Sequence, residues 1–201
     1  MSDPRPAPAP SGIDPEHWRE LPEPRIPPAS SDEIHILLRP LIWVSGRAVG
    51  GPPPNIFRTL ARHGKLFASW LPFAGRLMPR GSLPRIDTEL VILRVAYLTR
   101  CRYEWDHHVR IGGEAGLRPA DIERIAAGPE AAGWTGRQAA ILQLVDELHA
   151  ERFVSDGTWA RVGEHLSHTE LLELCMLAGH YEMLAGTLLS AGVQPEKPLQ
   201  R

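Results

Sequence analysis

A thiol, two carboxylates and an imidazole lie within one short stretch of the sequence, residues 89–116. If the chain is helical from residue 101 onwards, Cys101, Glu104 and His108 stand at positions i, i+3 and i+7 and share one face. A helix face that carries these three groups among apolar neighbours can support acid–base or thiol redox chemistry. Glu89 precedes them on another predicted helix and could supply a second carboxylate to the same place.

The helix predicted around Glu89 is apolar on most sides, because leucine, valine, isoleucine and alanine fill most positions from 90 to 98. This pattern indicates deep burial, and a buried carboxylate needs a partner. The residues leave two interpretations of Glu89 open. The positive end of its own helix could stabilise it, with Asp87 or Thr88 as the cap, or it could face His108 in a proton relay.

Cys101 opens the second predicted helix, after a break at Thr99 and Arg100. A thiol in a first helical turn lies near the positive end of the helix dipole, which lowers the pKa of the thiol and favours a reactive thiolate. A buried and inert thiol is the alternative, and it is the more common fate of a lone cysteine.

The same stretch resembles the carboxymuconolactone decarboxylase and alkylhydroperoxidase D-like superfamily. That superfamily has a helix of the type E-x-V-I-L-R-V-A, then a short break, then C-x-x-C-x-x-x-H. Glu89, Cys101 and His108 match these motifs in identity and spacing, and the resemblance extends over roughly residues 55 to 195. Glu104 stands where the second cysteine would be, which is the residue that attacks peroxide in the peroxidase branch. The sequence therefore looks more similar to the cysteine-poor, decarboxylase-like branch.

The resemblance implies a single-domain, all-α helical bundle that forms a homotrimer or homohexamer and acts on a small-molecule substrate. It also favours the relay interpretation of Glu89. The candidate catalytic residues are Glu89, Cys101, Glu104 and His108. An anionic substrate would need a cationic side chain, for which Arg94 and Arg85 are candidates. Tyr103 and Trp105, which flank the motif, are further candidate substrate-binding residues.

Three functions remain open at this point. The first is a cofactor-free enzyme acting on a lactone or carboxylic acid, in which His108 protonates carbon after loss of CO2 and Glu89 or Glu104 holds the imidazole. The second is a thiol peroxidase that works through Cys101, although no resolving cysteine stands at C-x-x-C spacing. The third is a binding or assembly protein that uses the fold without catalysis.

Composition limits the other possibilities. The 201 residues suit one domain with tails, and 43% are hydrophobic, enough for a sizeable core. The formal net charge of −2 gives no indication of nucleic acid or of an anionic membrane as a partner. Two cysteines are fewer than a disulfide scaffold uses, and the start of the sequence has no apolar signal region. We therefore expect a cytoplasmic protein without a membrane span.

The sequence predicts no metal and no cofactor. His107 and His108 are adjacent, so on a helix they point about 100° apart and do not readily share one metal ion. The glycines at 112, 113 and 116 follow a helix, whereas a dinucleotide-binding fingerprint follows a strand.

The chain is expected to have three parts. Residues 1–30 form a proline-rich arm that is disordered or docks onto a surface. In this arm Trp18 either makes loose apolar contacts or lies across a neighbouring subunit. Residues 31–195 form the helical domain, and 196–201 form a polar tail.

Within the domain, capping residues and apolar periodicity predict about eight helices. The first is expected from Ile34 to Val49, after a start signal at residues 30–33, and the next begins at Asn55. Thr135, Ser155 and Ser167 are the predicted caps of the later helices. His180 lies in the last and longest of them, among apolar neighbours, which is typical of a core histidine whose hydrogen bonds are satisfied.

Overall fold

All the regular elements are helices in the part of the chain that the structure, a computed structural model, describes: residues 13–48 and 53–196. The predicted all-α fold is confirmed. The α-helices are α1 (Arg39–Ala48), α2 (Asn55–Leu60), α3 (Gly64–Leu77), α4 (Arg85–Leu98), α5 (Arg102–Ala115), α6 (Pro119–Ala127), α7 (Gly136–Glu151), α8 (Asp156–Gly163) and α9 (His168–Ala191). Two short 3-10 turns lie at Pro15–His17 and Ala61–His63.

Helix α4 lies at the centre of the domain and packs against α5, α6, α7 and α9. Every residue from 87 to 96 is buried, on all sides of the helix. A helix that is apolar around its whole circumference must be surrounded by other helices, and this one carries Glu89 into the middle of the core.

The later helices begin where their capping residues predict. The Thr135 side chain accepts a hydrogen bond from the Gln138 backbone, and Ser167 does the same for Glu170, each as part of a capping box. Ser155 caps α8 in a similar way. These caps satisfy backbone N–H groups that have no partner inside the helix.

Two predicted helix starts were wrong. Helix α1 begins at Arg39, after a bend at Ile34 and a turn at residues 36–38. Pro40 explains the difference, because proline has no N–H to bond to the preceding turn and is accommodated best at the start of a helix. Helix α4 begins at Arg85, after Pro84, so Asp87 lies inside its first turn and not at its cap. There Asp87 forms an ion pair with Arg137, with 2.8 Å between the charged atoms.

The described part of the N-terminal arm lies against its own domain. Trp18 packs on the rings of Tyr97 and Trp105, with centroid distances of 6.3 and 5.5 Å. The Arg100 side chain donates hydrogen bonds to the backbone carbonyls of Glu16 and His17. The first twelve residues of the predicted arm and residues 197–201 of the predicted tail lie outside the described residues.

Over residues 13–48 and 53–196, no helix combines the length and the hydropathy needed to cross a lipid bilayer.

Candidate active site

Glu89 and His108 form a hydrogen-bonded pair in the core. His108 Nδ1 donates to Glu89 Oε2 over 2.7 Å, and the side chains are 8% and 0% exposed. The second carboxylate oxygen, Oε1, lies 2.7 Å from Arg85 Nη2. Glu89 is therefore held by the imidazole of His108 on α5 and by the guanidinium of Arg85, the first residue of its own helix. A carboxylate on Nδ1 fixes the orientation of the ring and leaves Nε2 as the free nitrogen.

A cavity of about 610 Å³ lies beside this pair, between α1, α2, α3, α5 and α9. Most of its wall is apolar, with side chains that include Ile56, Phe57, Trp70, Met78 and Leu184. Its titratable and aromatic polar side chains come mainly from α5 and α9: Tyr103, Glu104, His107, His108, His180 and Tyr181. A largely apolar pocket with a few polar groups on one side is the usual form of a small-molecule site.

Glu104 is the buried acid of this cavity. It is 3% exposed, and neither carboxyl oxygen has a hydrogen-bond partner among the described residues that meets the geometric limits of a hydrogen bond. Burial raises the pKa of Glu104 to about 8, although the nearby Cys101 thiol opposes that rise. The carboxyl group is therefore mostly protonated at neutral pH. The hydrogen bond between His108 and Glu104 that helical spacing allowed is not formed, because His108 Nδ1 turns to Glu89.

The structure does not support an activated thiol at Cys101. The residue caps α5 but is buried, and it is absent from the wall of the cavity. Burial and the neighbouring Glu104 charge raise the pKa of the thiol. Of the two alternatives left open for Cys101, the buried thiol is the one that agrees with this position, because removal of the thiol from water outweighs the effect of the helix dipole. Both cysteines are free.

Three of the four candidate substrate-binding residues do not line the cavity, and one of them, Arg85, pairs with Glu89. The other two are Arg94 and Trp105. Arg94 is buried and bidentate with Asp146, at 2.6 and 2.7 Å, and it also donates to two backbone carbonyls at the end of α6. Trp105 is fully buried beneath Trp18. Both are structural for the same reason: their helix positions point into the core. Tyr103 does line the cavity.

His180 is a cavity residue that the sequence analysis assigned to the satisfied core. Its ring stacks on Trp70 at 5.9 Å and meets the edge of Tyr181 at 5.3 Å. Nδ1 is buried without a hydrogen-bond partner in the described structure, and burial lowers the pKa of His180 to about 4. The ring is therefore neutral at neutral pH. A histidine in a helix that is otherwise apolar was the available signal, but it does not show which side of the helix faces a cavity.

Glu196 anchors the end of the described chain beside the cavity. Its carboxylate accepts hydrogen bonds from the Tyr103 hydroxyl at 2.6 Å, from His107 Nε2 at 2.9 Å and from the Asn55 backbone N–H at 2.6 Å. Burial alone would raise the pKa of Glu196, but the bonds from His107 and Tyr103 lower it to about 2. From the sequence this residue was expected to lie in a polar tail.

No three histidine, cysteine, aspartate or glutamate side chains converge as metal ligands within the described ranges.

Comparison with known proteins points to one family and one fold. Residues 64–147 match the model of the carboxymuconolactone decarboxylase family. A peroxidase-related protein from Ralstonia eutropha JMP134 with an alkylhydroperoxidase AhpD core aligns over 88% of this chain and 94% of its own, with 19% identity and a TM-score of 0.77. A peroxidase-related protein from Silicibacter sp. TM1040 aligns over 88% and 95%, with 14% identity and a TM-score of 0.76.

A third solved structure is that of a variant of the debrominase Bmp8 in complex with 2,3,4-tribromopyrrole. It aligns over 85% of this chain and 91% of its own, with 11% identity and a TM-score of 0.73. No curated protein sequence matches the chain significantly. At these identities the solved structures establish the fold alone.

Proposed function

We propose that this protein, in which residues 64–147 match the model of the carboxymuconolactone decarboxylase family, is a cofactor-free enzyme that moves protons on a small carbonyl compound such as a lactone. The observation that carries the proposal is the buried hydrogen bond from His108 Nδ1 to Glu89, on the wall of a largely apolar cavity. It presents an oriented imidazole whose remaining nitrogen, Nε2, can exchange a proton with a ligand.

The two carboxyl groups near His108, those of Glu89 and Glu104, have different roles in this chemistry. His108 Nε2 takes a proton from the carbon next to a substrate carbonyl, and the electron pair of the broken C–H bond moves toward the carbonyl oxygen. Glu89 stabilises the imidazolium that results. Glu104, protonated at neutral pH, donates a hydrogen bond to the oxygen on which negative charge develops. His108 then returns the proton to carbon.

Decarboxylation would use only the second of these proton transfers, from His108 to carbon. Loss of CO2 from a β-keto acid leaves an enolate, and protonated His108 delivers a proton to its carbon. A carboxylate substrate needs a cation, but Arg94 is bound to Asp146 and Arg85 to Glu89. Arg80, an exposed residue on the cavity wall, is the cationic side chain left for that role among the residues described there. The one cation thus left for a carboxylate, among the described wall residues, is exposed to water, which weakens its pull on an anion, so the buried part of the wall favours an uncharged substrate over an anionic one.

The thiol peroxidase is the second candidate, supported by the peroxidase-related proteins that share the fold. Three observations rank it lower. Cys101 does not line the cavity, burial keeps its thiol protonated, and Glu104 occupies the place of a second cysteine. A carboxyl group can neither attack a peroxide as a thiolate does nor resolve a sulfenic acid to a disulfide.

Deuterium incorporation tests the proposal without knowledge of the natural substrate. The purified protein is incubated in D2O with a panel of neutral lactones, cyclic ketones and lactone acids, and exchange of the proton next to the carbonyl is followed by NMR. We expect His108→Ala to lower the exchange rate on the order of a hundredfold or more, and Cys101→Ser to leave it nearly unchanged.

A parallel assay with organic hydroperoxides and an external thiol tests the second candidate. Robust peroxide turnover in the parent protein, lost in Cys101→Ser, would contradict the proposed function and put the peroxidase first.

A further inference from the structure

Three side chains on the cavity wall have buried polar atoms without a hydrogen-bond partner of acceptable geometry among the described residues: Glu104 with both carboxyl oxygens, His180 with Nδ1 and Trp70 with Nε1. The Glu104 and His180 side chains are each more than nine-tenths buried. An unpaired polar group in a protein interior is destabilising, so most such groups have a partner in the functional state. The two residues come from α5 and α9 and line the same space, so a single ligand could satisfy both.

The positions of the aromatic rings connect these groups to the proposed chemistry. The Tyr181 ring meets His108 and His180 edge-on, and both centroid distances are 5.3 Å. Glu104 lies one helical turn before His108 on α5, so their side chains share a face. The Trp70 ring stacks on His180 and continues the wall into the apolar part of the cavity. A flat molecule beside these rings would have its polar edge toward Glu104, His108 and His180.

The charges of the cavity wall determine whether the polar edge of the ligand is neutral or ionic. Glu104 and His180 are both neutral near pH 7, and each can donate or accept a hydrogen bond in that form. The Glu89 carboxylate already has His108 and Arg85 as partners, and the Glu196 carboxylate has Tyr103, His107 and the Asn55 N–H. An ionic ligand would lose its hydration without gaining an unpaired opposite charge at this edge.

We propose that the cavity binds an uncharged cyclic molecule whose polar edge carries both a hydrogen-bond donor and an acceptor, such as a lactam or a hydroxy-lactone. Glu104 and His180 select this molecule by hydrogen bonding to its polar edge. The apolar ring of the ligand packs on Trp70 and Tyr181. This inference rests on the proposed function, because it places the carbonyl of the substrate beside Glu104 and within reach of His108. It names the substrate class that the proposed function leaves open.

Four probes with one ring system test the selection: 2-naphthamide, 2-naphthoate, 2-naphthylmethylamine and 2-methylnaphthalene. They share the apolar bicycle and differ in whether the edge is neutral and polar, anionic, cationic or apolar. Binding is measured by NMR titration of the full-length protein at pH 6.5. We expect the amide to bind at least tenfold more tightly than each of the other three.

Variants identify the residues responsible. Glu104→Leu and His180→Phe should each weaken binding of the amide about tenfold, because they remove the hydrogen-bonding groups. The affinity for 2-methylnaphthalene should not change, since each new side chain is apolar and of similar size to the one it replaces. Glu104→Gln keeps a donor and an acceptor, so it should bind the amide within a few-fold of the parent. His168→Phe, an exposed position on the same helix as His180, is the matched control. Thermal unfolding of each variant confirms that the domain is folded.

Three results would overturn the inference: equal affinity for the amide and the hydrocarbon, tightest binding by the ammonium probe with affinity rising with pH, or no binding of any probe at millimolar concentration. 2-Naphthamide has no proton on the carbon next to its carbonyl, so its binding is independent of catalysis. Failure of the amide preference with intact deuterium exchange refutes this inference alone. The amide preference without exchange refutes the proposed function alone.

Discussion

Glu104 links the chemistry of the cavity to the stability of the domain, because its pKa is about 8 in the folded protein and 4.5 for an unperturbed glutamate. Below pH 4.5 both states bind the proton and the carboxyl group has no effect on stability. Between pH 4.5 and about 8 the unfolded chain releases the proton and the folded protein keeps it. The free energy of unfolding therefore falls as pH rises through this window, by about 1.4 kcal/mol per pH unit from this group.

Glu104→Gln should remove that loss. We expect the variant to have nearly the same free energy of unfolding as the parent at pH 4.5 and to be more stable by a few kcal/mol at pH 8. Urea unfolding at both pH values measures the difference. Glu114→Gln, at a 65% exposed position of the same helix, is the control and should show no such pH dependence. A difference between parent and Glu104→Gln that does not change with pH would show that Glu104 titrates normally.

At this scale the sequence identified Glu89, Glu104 and His108, because helical spacing and the resemblance both depend on neighbours along one or two helices. It did not identify His180 or Glu196 as parts of the site. Both come from the end of the chain and reach the cavity only because α9 packs beside α3 and α4. Periodicity gives the residues that share a helix face, but it does not give the helix that the face contacts.

Among the helices, the Arg94 side chain joins three: α4, α6 and α7. From the middle of α4 it binds Asp146 on α7 and the carbonyls of Ile125 and Ala126 at the end of α6. Cations near a helix C-terminus stabilise its free carbonyl groups. From the sequence this arginine was a candidate cation for an anionic substrate, whereas its contacts hold three helices together.

Asp146→Ala should therefore destabilise the domain strongly. It leaves the buried Arg94 guanidinium without its anion, and loss of one partner of a buried pair costs about 3 kcal/mol or more. Glu151→Ala, an exposed position near the end of the same helix, should change stability by less than about 0.5 kcal/mol. Urea unfolding at pH 7 compares the two, and equal small losses would mean that the pair contributes no net stability.

The end of the described chain is attached to α2 through Glu196. Its carboxylate accepts from the Asn55 N–H, and the Tyr103 hydroxyl that binds Glu196 in turn accepts from the Ile56 N–H. These two amides lie at the start of α2, where no carbonyl of the helix itself is available. Glu196 therefore orders both the last described residues and the first turn of a helix that lines the cavity.

Glu196→Gln should loosen this attachment. We expect the amides of Asn55 and Ile56 to exchange with solvent about tenfold faster than in the parent, while amides in α4 keep their rates. Hydrogen exchange measured by NMR tests this. Because the pKa of Glu196 is lowered to about 2, the parent should keep its slow exchange above pH 4.5 and lose it as pH falls toward 2. Unchanged exchange in Glu196→Gln would contradict the anchoring role.

For the molecule as a whole, α9 presents two different faces. Its inner face carries His180 and Tyr181 to the cavity wall. The residues on its outer face are spaced alternately by four and three positions, are exposed and carry no charge: Leu172, Met176, Gly179, Met183, Gly186 and Ser190. This spacing is that of a helix seam that packs against another helix.

The outer face of α9 is where we expect copies of this chain to meet. A Cβ atom at Gly179 or Gly186 would have no neighbour within 4 Å, so another helix can approach closely at these positions. Leu172 and Met183 are 67% and 55% exposed, which is unusual for apolar side chains in so regular an arrangement. The homotrimer or homohexamer expected from the sequence would bury this face. Its assembly remains a prediction.

Charges on this face should break the assembly without unfolding the subunit. In the double variant Met176→Glu with Met183→Glu, two carboxylates would have to be buried at the seam, and each costs several kcal/mol without a partner. We expect light scattering at micromolar concentration to show a trimer or hexamer for the parent and smaller species for the double variant, with unchanged helical circular dichroism. Phe153→Glu places a charge at another exposed apolar position, 67% exposed and outside α9, and should keep the parent mass. A monomeric parent, or a double variant of unchanged mass, would show that this face does not hold subunits together.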